Sequence, residues 1–325
     1  MLEHATLPTQ DELLQSFAEL YWLKPYDIPW DALTAYQVAS RIPAEGSLLD
    51  LGCGDGLFSA LMFGARLATD ADRFCGAQPR QQAILPDQQG DIYERAWIPR
   101  LARPPARQIA MGLDLKPHQL AVAKHLGLYQ ALVQGSFEAH QLPSSSYDAV
   151  FSVFAFYWAD DLDRATAQVA RILKDGGEFL VTLPSEHLYG LHLAARLAEP
   201  EHSAGAASRY FESLDGGRRR LTTRHARSQA EWREHFARHS LQLIDVVPIV
   251  NQLMFTMQDL GQRPFLPELI RHANTVIAPE QRDALKRYLC ERFYPEFLKP
   301  FYQGLEGDPG VQHAYYSIHL RKAGA

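Results

Sequence analysis

Cysteine is scarce. The 325-residue chain has three, Cys53, Cys75 and Cys290. They are odd in number and far apart, which excludes a disulfide framework and any CxxC metal pair and fits a reducing compartment. Positive charge is not in excess: 38 acids against 32 bases leave a net −6. A protein that lives on nucleic acid usually shows a basic balance, so no nucleic-acid partner is expected. Long apolar runs are missing as well. The longest, AVFSVFAFYWA at 149–159, is too short for a bilayer, which needs about 18 residues or more. The start, MLEHATLPTQDELLQ, lacks a basic stretch followed by an apolar one and does not read as a signal peptide. The expectation is a cytoplasmic protein with no membrane span. Internal repeats and low-complexity tracts are also absent. What remains is ordinary globular composition, 46% hydrophobic and 22% charged, enough for one large domain or two small ones.

Residues 11–41 read as helices rich in aromatic residues, with Pro25 and Pro29 breaking the middle piece. Residues 47–51 are an apolar strand and 57–64 begin a helix. A polar insert rich in Arg, Gln and Pro follows at 65–107, read as a loop with at most a short helix. Alternation then resumes. QIAMGLDL is a strand, and PHQLAVAKHLG is a helix with Pro117 in its first turn and Gly127 at its end. YQALVQGS and YDAVFSVFAF are strands. DLDRATAQVARILKDGG is a helix whose apolar face is Leu162, Ala165, Val169 and Ile172 or Leu173, with Gly176 and Gly177 stopping it. EFLVTLPS is the next strand. Strand–helix alternation with short turns means a parallel sheet covered on both faces, and right-handed crossovers make it doubly wound. After Ser185 the rhythm breaks. Ser228 and Glu231 form a capping box for QAEWREHFARH, LQLIDVVPIV is a strand, and 257–305 are helices broken by prolines. The chain closes on HAYYSIHLRK, where Ala314, Tyr316, Ile318 and Leu320 alternate with polar positions, as in a strand with one wetter face.

The stretch LLDLGCGDGLF carries the first functional signal. Asp50 ends a strand, and Gly52, Gly54 and Gly56 follow at once. Glycine permits positive φ and lets a ligand approach the backbone without meeting a Cβ. The dinucleotide fingerprint is G-x-G-x-x-G, whereas here it is G-x-G-x-G behind an acid. A diphosphate beside Asp50 is badly placed, and an ammonium group is well placed. Asp114 ends the second strand in GLDL. There an acid can accept from two ribose hydroxyls, or it can cap the helix that follows. The third strand ends in QGSFEAHQLP, where Ser136 can bond an adenine edge and Phe137 can cover its face; the alternative is a plain turn with Phe137 in the core.

LLDLGCGDG, GLDL, QGSFEAHQLPSSSYDAVFSVFAFYW and ARILKDGGEFLVTLPS, in that order, resemble the motifs of class I S-adenosylmethionine-dependent methyltransferases over about residues 45–185. The resemblance implies a doubly wound α/β fold. Its seven-stranded, mostly parallel Rossmann-like sheet would have an antiparallel last strand and helical cap insertions. It implies a helical lid at 1–45 and a methyltransferase domain at 46–325 with insertions at 65–107, 186–227 and 257–310. The cofactor would be S-adenosylmethionine and its product S-adenosylhomocysteine. Asp50, Gly52, Cys53, Gly54 and Gly56 would hold the methionine end. Asp114 would lie at the ribose, Ser136 and Phe137 at the adenine, and Leu115, Ser152, Val153 and Phe154 along the cofactor. Ser136 departs from the acid common at its place. WDAL and RRLTTRH before SQAEW resemble a loosely defined bacterial subgroup near natural-product and cell-surface glycan genes.

The implied chemistry is methyl transfer to oxygen or nitrogen of a small molecule in a capped pocket. Two other readings stand beside it: a cofactor-binding subunit that no longer methylates, and an RNA or protein methyltransferase. Tyr157, His187 and His225 are the catalytic candidates. Tyr21, Tyr26, Trp158, Arg219 and Arg220 are the candidates for substrate contact. Arg219 and Arg220 belong to a run with Arg218, Arg224 and Arg227 that suits a carboxylate or phosphate, or a solvated loop. His235 and His239 stand four apart on a helix, flanking Trp232 and Phe236, but no third ligand is evident from the sequence, so no metal is expected.

Overall fold

Why the chain alternates as it does is visible in the sheet that its apolar runs build. The computed structural model describes residues 7–75, 97–192, 195, 220, 222–261, 266–302 and 310–324. Arg218, Arg219 and residues 76–96 of the insert lie outside these. Seven strands form one sheet: β1 (Leu48–Leu51), β2 (Ile109–Asp114), β3 (Tyr129–Gln134), β4 (Tyr147–Ser152), β5 (Leu173–Pro184), β6 (Leu241–Asn251) and β7 (His313–Lys322). Their order is β3-β2-β1-β4-β5-β7-β6. The first five run parallel, with Leu49 opposite both Met111 and Val150. β7 inserts antiparallel between β5 and β6. This is the expected doubly wound sheet with an antiparallel last strand.

β1 is buried along its whole length, as a central parallel strand covered on both faces must be. β7 departs from the sequence reading. Tyr315 and Ser317, on the face expected to be wetter, are 5% and 1% exposed. Trp30 packs on Tyr315 at 5.5 Å and Arg41 donates to the Ser317 hydroxyl at 3.3 Å, so the amino-terminal segment covers this face as well, which period-two alternation alone does not reveal.

Three helices fix the layers near the site. They are α1 (Gln10–Leu20), α2 (Asp27–Ala39) and α3 (Leu57–Met62). Thr9 and Glu12 close a capping box on α1. Pro29 does not break α2. It falls in the first turn, where a missing N–H costs nothing. Next come α4 (Pro117–Ala123) and α5 (Leu162–Ile172). On α5 the buried face is Leu162, Ala165, Val169 and Ile172, with Thr166 beside it. The helix ends four residues before Gly176. Leu173 is already extended and pairs with Tyr147, and the Lys174 ammonium meets Asp148 at 2.8 Å. Strand pairing therefore wins over the glycine stop. α6 (Gln229–Ala237) carries the expected Ser228–Glu231 capping box. α7 (Gln252–Gly261), α8 (Leu266–Val276) and α9 (Pro279–Tyr288) follow before β7.

The insert at 65–107 leaves and returns through one antiparallel pairing, Arg66–Leu67 against Leu101–Arg103. Its base is tied to both ends of the chain. Asp72 accepts from the Trp22 indole at 2.9 Å and from Arg282 of α9 at 2.8 Å, and the Tyr294 hydroxyl donates to the Trp22 carbonyl. Trp22 is fully buried, so the amino-terminal helices are pinned to the body.

Candidate functional site

The carboxyl ends of β1, β2 and β4 converge on the glycine turn. Gly52 and Cys53 donate their N–H groups to the Leu113 carbonyl at 2.7 and 3.0 Å, hooking the turn onto β2. Gly52, Gly54 and Gly56 have φ of +85°, +55° and +75°. They do not do the same work. A Cβ on Gly52 would lie 2.5 Å from the Ala155 Cβ, and one on Gly56 2.9 Å from the Tyr129 ring. These two glycines let protein pack closely. A Cβ on Gly54 would meet nothing within 4 Å. Of the three, Gly54 presents bare backbone to open space, a narrower opening than the sequence suggests.

Asp50 is buried beneath the turn. Its Oδ2 accepts from the Ser59 hydroxyl at 2.6 Å and the Tyr129 hydroxyl at 2.7 Å. Burial pushes its carboxyl up to about 6, against the pull of those two hydroxyls. The side chain thus joins β1 to α3 and β3. Cys53 is also buried, which pushes its thiol far up and leaves it inert at neutral pH.

Asp114 faces the turn. It accepts the Gly54 N–H at 2.9 Å on Oδ2 and the Lys116 N–H at 2.8 Å on Oδ1. The N-cap of α4 is Lys116, so Asp114 is not its cap. Each carboxylate oxygen has two lone pairs and uses one on these bonds, leaving one for a further donor. Leu115 beside it is 45% exposed. Phe137 is half-buried, its ring 5.7 Å from that of Phe156 and close under Gly52, and Ser136 precedes it half-buried.

β4 ends earlier than the apolar run suggests. The Ser152 hydroxyl is buried and donates to the Leu51 carbonyl at 2.6 Å. Val153 is half-buried. Phe154 then takes φ +52°, and its N–H donates to the Thr182 hydroxyl at 2.5 Å. A bulky residue in left-handed backbone is strained by about 1 to 3 kcal/mol and persists only where its surroundings enforce it. Here they are aromatic. The Phe154 ring lies 5.6 Å from Trp30 of α2 and 5.3 Å from Tyr315 of β7. Trp30 also meets Phe255 of α7 at 5.9 Å, and Tyr157 meets Tyr315 at 5.8 Å. These side chains, from α2, the turn after β4, α7 and β7, form an aromatic wall above the strand ends. Tyr26 and Tyr157 are buried, while Trp158 is 40% exposed.

His187 is half-exposed one turn beyond β5, with its ring 3.9 Å from Glu186. His225 is differently committed. Its Nε2 lies 3.0 Å from the Ala159 carbonyl, and burial lowers its proton affinity. Arg224 donates to the same carbonyl at 2.7 Å, to that of Trp158 and to Asp160. These two residues clamp the turn at 156–160, with the His225 ring committed to the Ala159 carbonyl. Arg220 is exposed, and Arg219 is outside the described residues.

Two groups escape a sequence reading. His192, 3% exposed, follows the short turn Leu188–Leu191 after β5. Its Nδ1 sits 3.3 Å from Asp259 of α7, and its ring packs edge-on to Phe255 at 4.9 Å. Its Nε2 is buried and has no hydrogen-bond partner among the described residues. The dyad therefore abuts the aromatic wall. On α2, Asp31 takes a hydrogen bond from Tyr21; enclosure and then the Asp27 carboxylate hold its own carboxyl well above the usual range. Arg73 reaches Asp55 of the turn at 3.6 Å. No spacing in the sequence connects these partners.

Comparison with known proteins gives the following. Residues 96–181 match the family described as a methyltransferase domain. A malonyl-[acyl-carrier protein] O-methyltransferase of Enterobacter lignolyticus is 35% identical over 105 residues, 32% of this chain and 41% of that protein. The enzyme of the same name from Serratia marcescens is 28% identical over 159 residues, 46% of each chain. The chain thus spans less than half the length of the curated relatives it matches. A solved Thermotoga maritima structure, described as a SAM-dependent methyltransferase and possible histamine N-methyltransferase, is 14% identical over 93% of both chains with a TM-score of 0.45.

Proposed function

With a class I S-adenosylmethionine-dependent methyltransferase domain as the premise, we propose that this chain transfers a methyl group to oxygen or nitrogen of a small molecule held against the aromatic wall. The observation that carries the proposal is the pairing of Gly54 with Asp114. One offers open backbone and the other two spare lone pairs, at the ends of adjacent parallel strands.

The residues present fit the cofactor. Asp114 would accept both ribose hydroxyls without giving up its bonds to Gly54 and Lys116. Gly54 would let the methionine chain lie on the backbone, with Gly52 and Cys53 fixing the turn and Asp50 supporting it from beneath. Arg73 carries a charge suited to the carboxylate end, and an ammonium group brought beside Asp31 would favour its ionised form. Ser136, Phe137 and Leu115 would border the adenine.

When bound, S-adenosylmethionine supplies a methyl group already activated on a sulfonium centre. The protein has to aim the acceptor along the S–CH3 axis and keep water out, and positioning alone supplies up to about 7 to 11 kcal/mol of the barrier in good cases. Phe154, Trp30, Tyr157 and Tyr315 would shape that space, and aromatic faces also attract a sulfonium charge. For a neutral hydroxyl or amine acceptor, His192 would take the proton on Nε2 while Asp259 holds Nδ1–H. This dyad replaces His225 in that role, and His187 is left at the rim. The amino-terminal helices, pinned through Trp22, would form a fixed cover over the site. The relatives' names point to oxygen as the accepting atom.

Titration of the folded chain with S-adenosylmethionine, followed by transfer of labelled methyl into a small-molecule extract, tests the proposal. Binding with label recovered below the size of a protein is the expected result. Label entering RNA or protein alone would overturn the small-molecule reading. Tight binding with no transfer to any acceptor would favour a non-methylating subunit.

A further inference from the structure

The sequence offers His235 and His239 without a third ligand, and the fold supplies one. Asp163, in the first turn of α5, lies across from both. Its Oδ1 is 3.0 Å from His239 Nε2 and 3.6 Å from His235 Nδ1, and the three donor atoms all lie within 4.8 Å of one another. Bonds of about 2.0 to 2.2 Å from a tetrahedral zinc ion put its ligand atoms about 3.4 Å apart. The observed spacings bracket that value.

The hydrogen-bond network fixes which nitrogen of His235 is available. The Thr166 hydroxyl donates its one proton to the Leu162 carbonyl at 2.7 Å. Toward His235 Nε2, 2.9 Å away, it can only accept. Nε2 therefore carries the proton and Nδ1 turns a lone pair toward the Asp163 carboxylate. Two acceptors facing each other at 3.6 Å, one on a histidine that is 1% exposed, call for a cation between them. Arg238 partly meets that need, its guanidinium 3.3 Å from His235 Nδ1 and 3.4 Å from Asp163 Oδ1. Both contacts are long for charge-assisted bonds, which prefer about 2.7 to 2.9 Å. The Arg238 side chain is half-exposed, so solvent can receive its charge if an ion takes its place. Arg227, the other nearby cation, lies over the Trp232 ring at 4.9 Å. A histidine ligand whose second nitrogen is held by a polar neighbour is the arrangement that metal sites use to fix the ring.

We propose that Asp163, His235 and His239 bind a divalent transition-metal ion, zinc by its ligand set, in place of the Arg238 guanidinium. The ion would join α5 to α6, two helices far apart in the chain, and would keep a fourth position for water because Asp163 is 59% exposed. This site is separate from the methyl-transfer centre and does not depend on its assignment.

The test uses the untagged full chain with Zn2+ and, as a spectroscopic probe, Co2+. One ion per chain is expected, with the intense visible bands of tetrahedral cobalt and a chelator-reversible rise in thermal midpoint. His239→Ala and Asp163→Asn, both on partly open side chains, should abolish the bands while leaving the far-ultraviolet circular dichroism unchanged. Thr166→Val should weaken binding about 10- to 100-fold. Arg238→Ala should tighten it by removing the competing cation. No bands with the wild-type chain would overturn the proposal. So would bands that survive both ligand variants, which would place the ion elsewhere, or an Arg238→Ala variant that binds more weakly.

Discussion

Gly54 and Gly127 make a matched pair. Both have left-handed backbone, φ +55° and +64°, and a Cβ on either would meet nothing within 4 Å. Gly54 faces Asp114 in the proposed cofactor site, whereas Gly127 ends the turn after α4. Alanine at either position carries the same conformational cost, about 1 to 2 kcal/mol for an L-residue in this region. Only at Gly54 should the new methyl occupy space that a ligand needs. Overpacking a well-fitted contact by one methyl costs about 1 to 3 kcal/mol, or about 5- to 150-fold in affinity. Urea unfolding should therefore show equal destabilisation of Gly54→Ala and Gly127→Ala. Calorimetric titration with S-adenosylhomocysteine should show a loss of affinity in the first variant alone. Equal affinities in the two variants would refute the assignment of the open space at Gly54 to the cofactor.

Asp50 gives a pH-dependent expectation. Burial raises its carboxyl from 3.8 to about 6, so the folded state holds the proton more tightly than the unfolded state. Its contribution is favourable below about pH 4 and is lost as pH rises through about 6. Above that the ionised carboxylate costs on the order of 3 kcal/mol. Asp50→Asn keeps an oxygen for Ser59 and Tyr129 and should raise stability above pH 6, a difference that fades toward pH 4. A urea series over pH checks this, and parallel pH profiles for the two proteins would contradict it. His192→Gln should lower kcat for a neutral hydroxyl or amine acceptor about 10²- to 10⁴-fold with cofactor affinity intact. Wild-type turnover of a neutral acceptor would remove the dyad from the mechanism, whereas a carboxylate acceptor needs no base.

The strand–helix alternation, the glycine turn and the Ser228–Glu231 capping box were legible because each rests on local chemistry. The α5 face at Leu162, Ala165, Val169 and Ile172 was legible for the same reason. What stayed hidden depends on neighbours. β7 loses its wet face because Trp30 and Arg41 pack on it, Arg41 reaching Ser317 from 276 residues away in the chain. α5 stops at Ile172 because Leu173 pairs with Tyr147. Gly52 and Gly54 look alike in sequence, and only the positions of Ala155 and Phe137 tell a packing glycine from an open one. His192 and Asp259 are 67 residues apart, and Asp163 and His239 are 76 apart. Such pairs come together only when the sheet aligns the segments that carry them.

A co-crystal structure with S-adenosylhomocysteine puts the account to its most direct test. The ribose hydroxyls should lie within hydrogen-bonding distance of both Asp114 oxygens, with the amino-acid chain running over Gly54 and the sulfur facing Phe154. A ligand bound away from the ends of β1 and β2, or Asp114 left with only its Gly54 and Lys116 bonds in the complex, would contradict it.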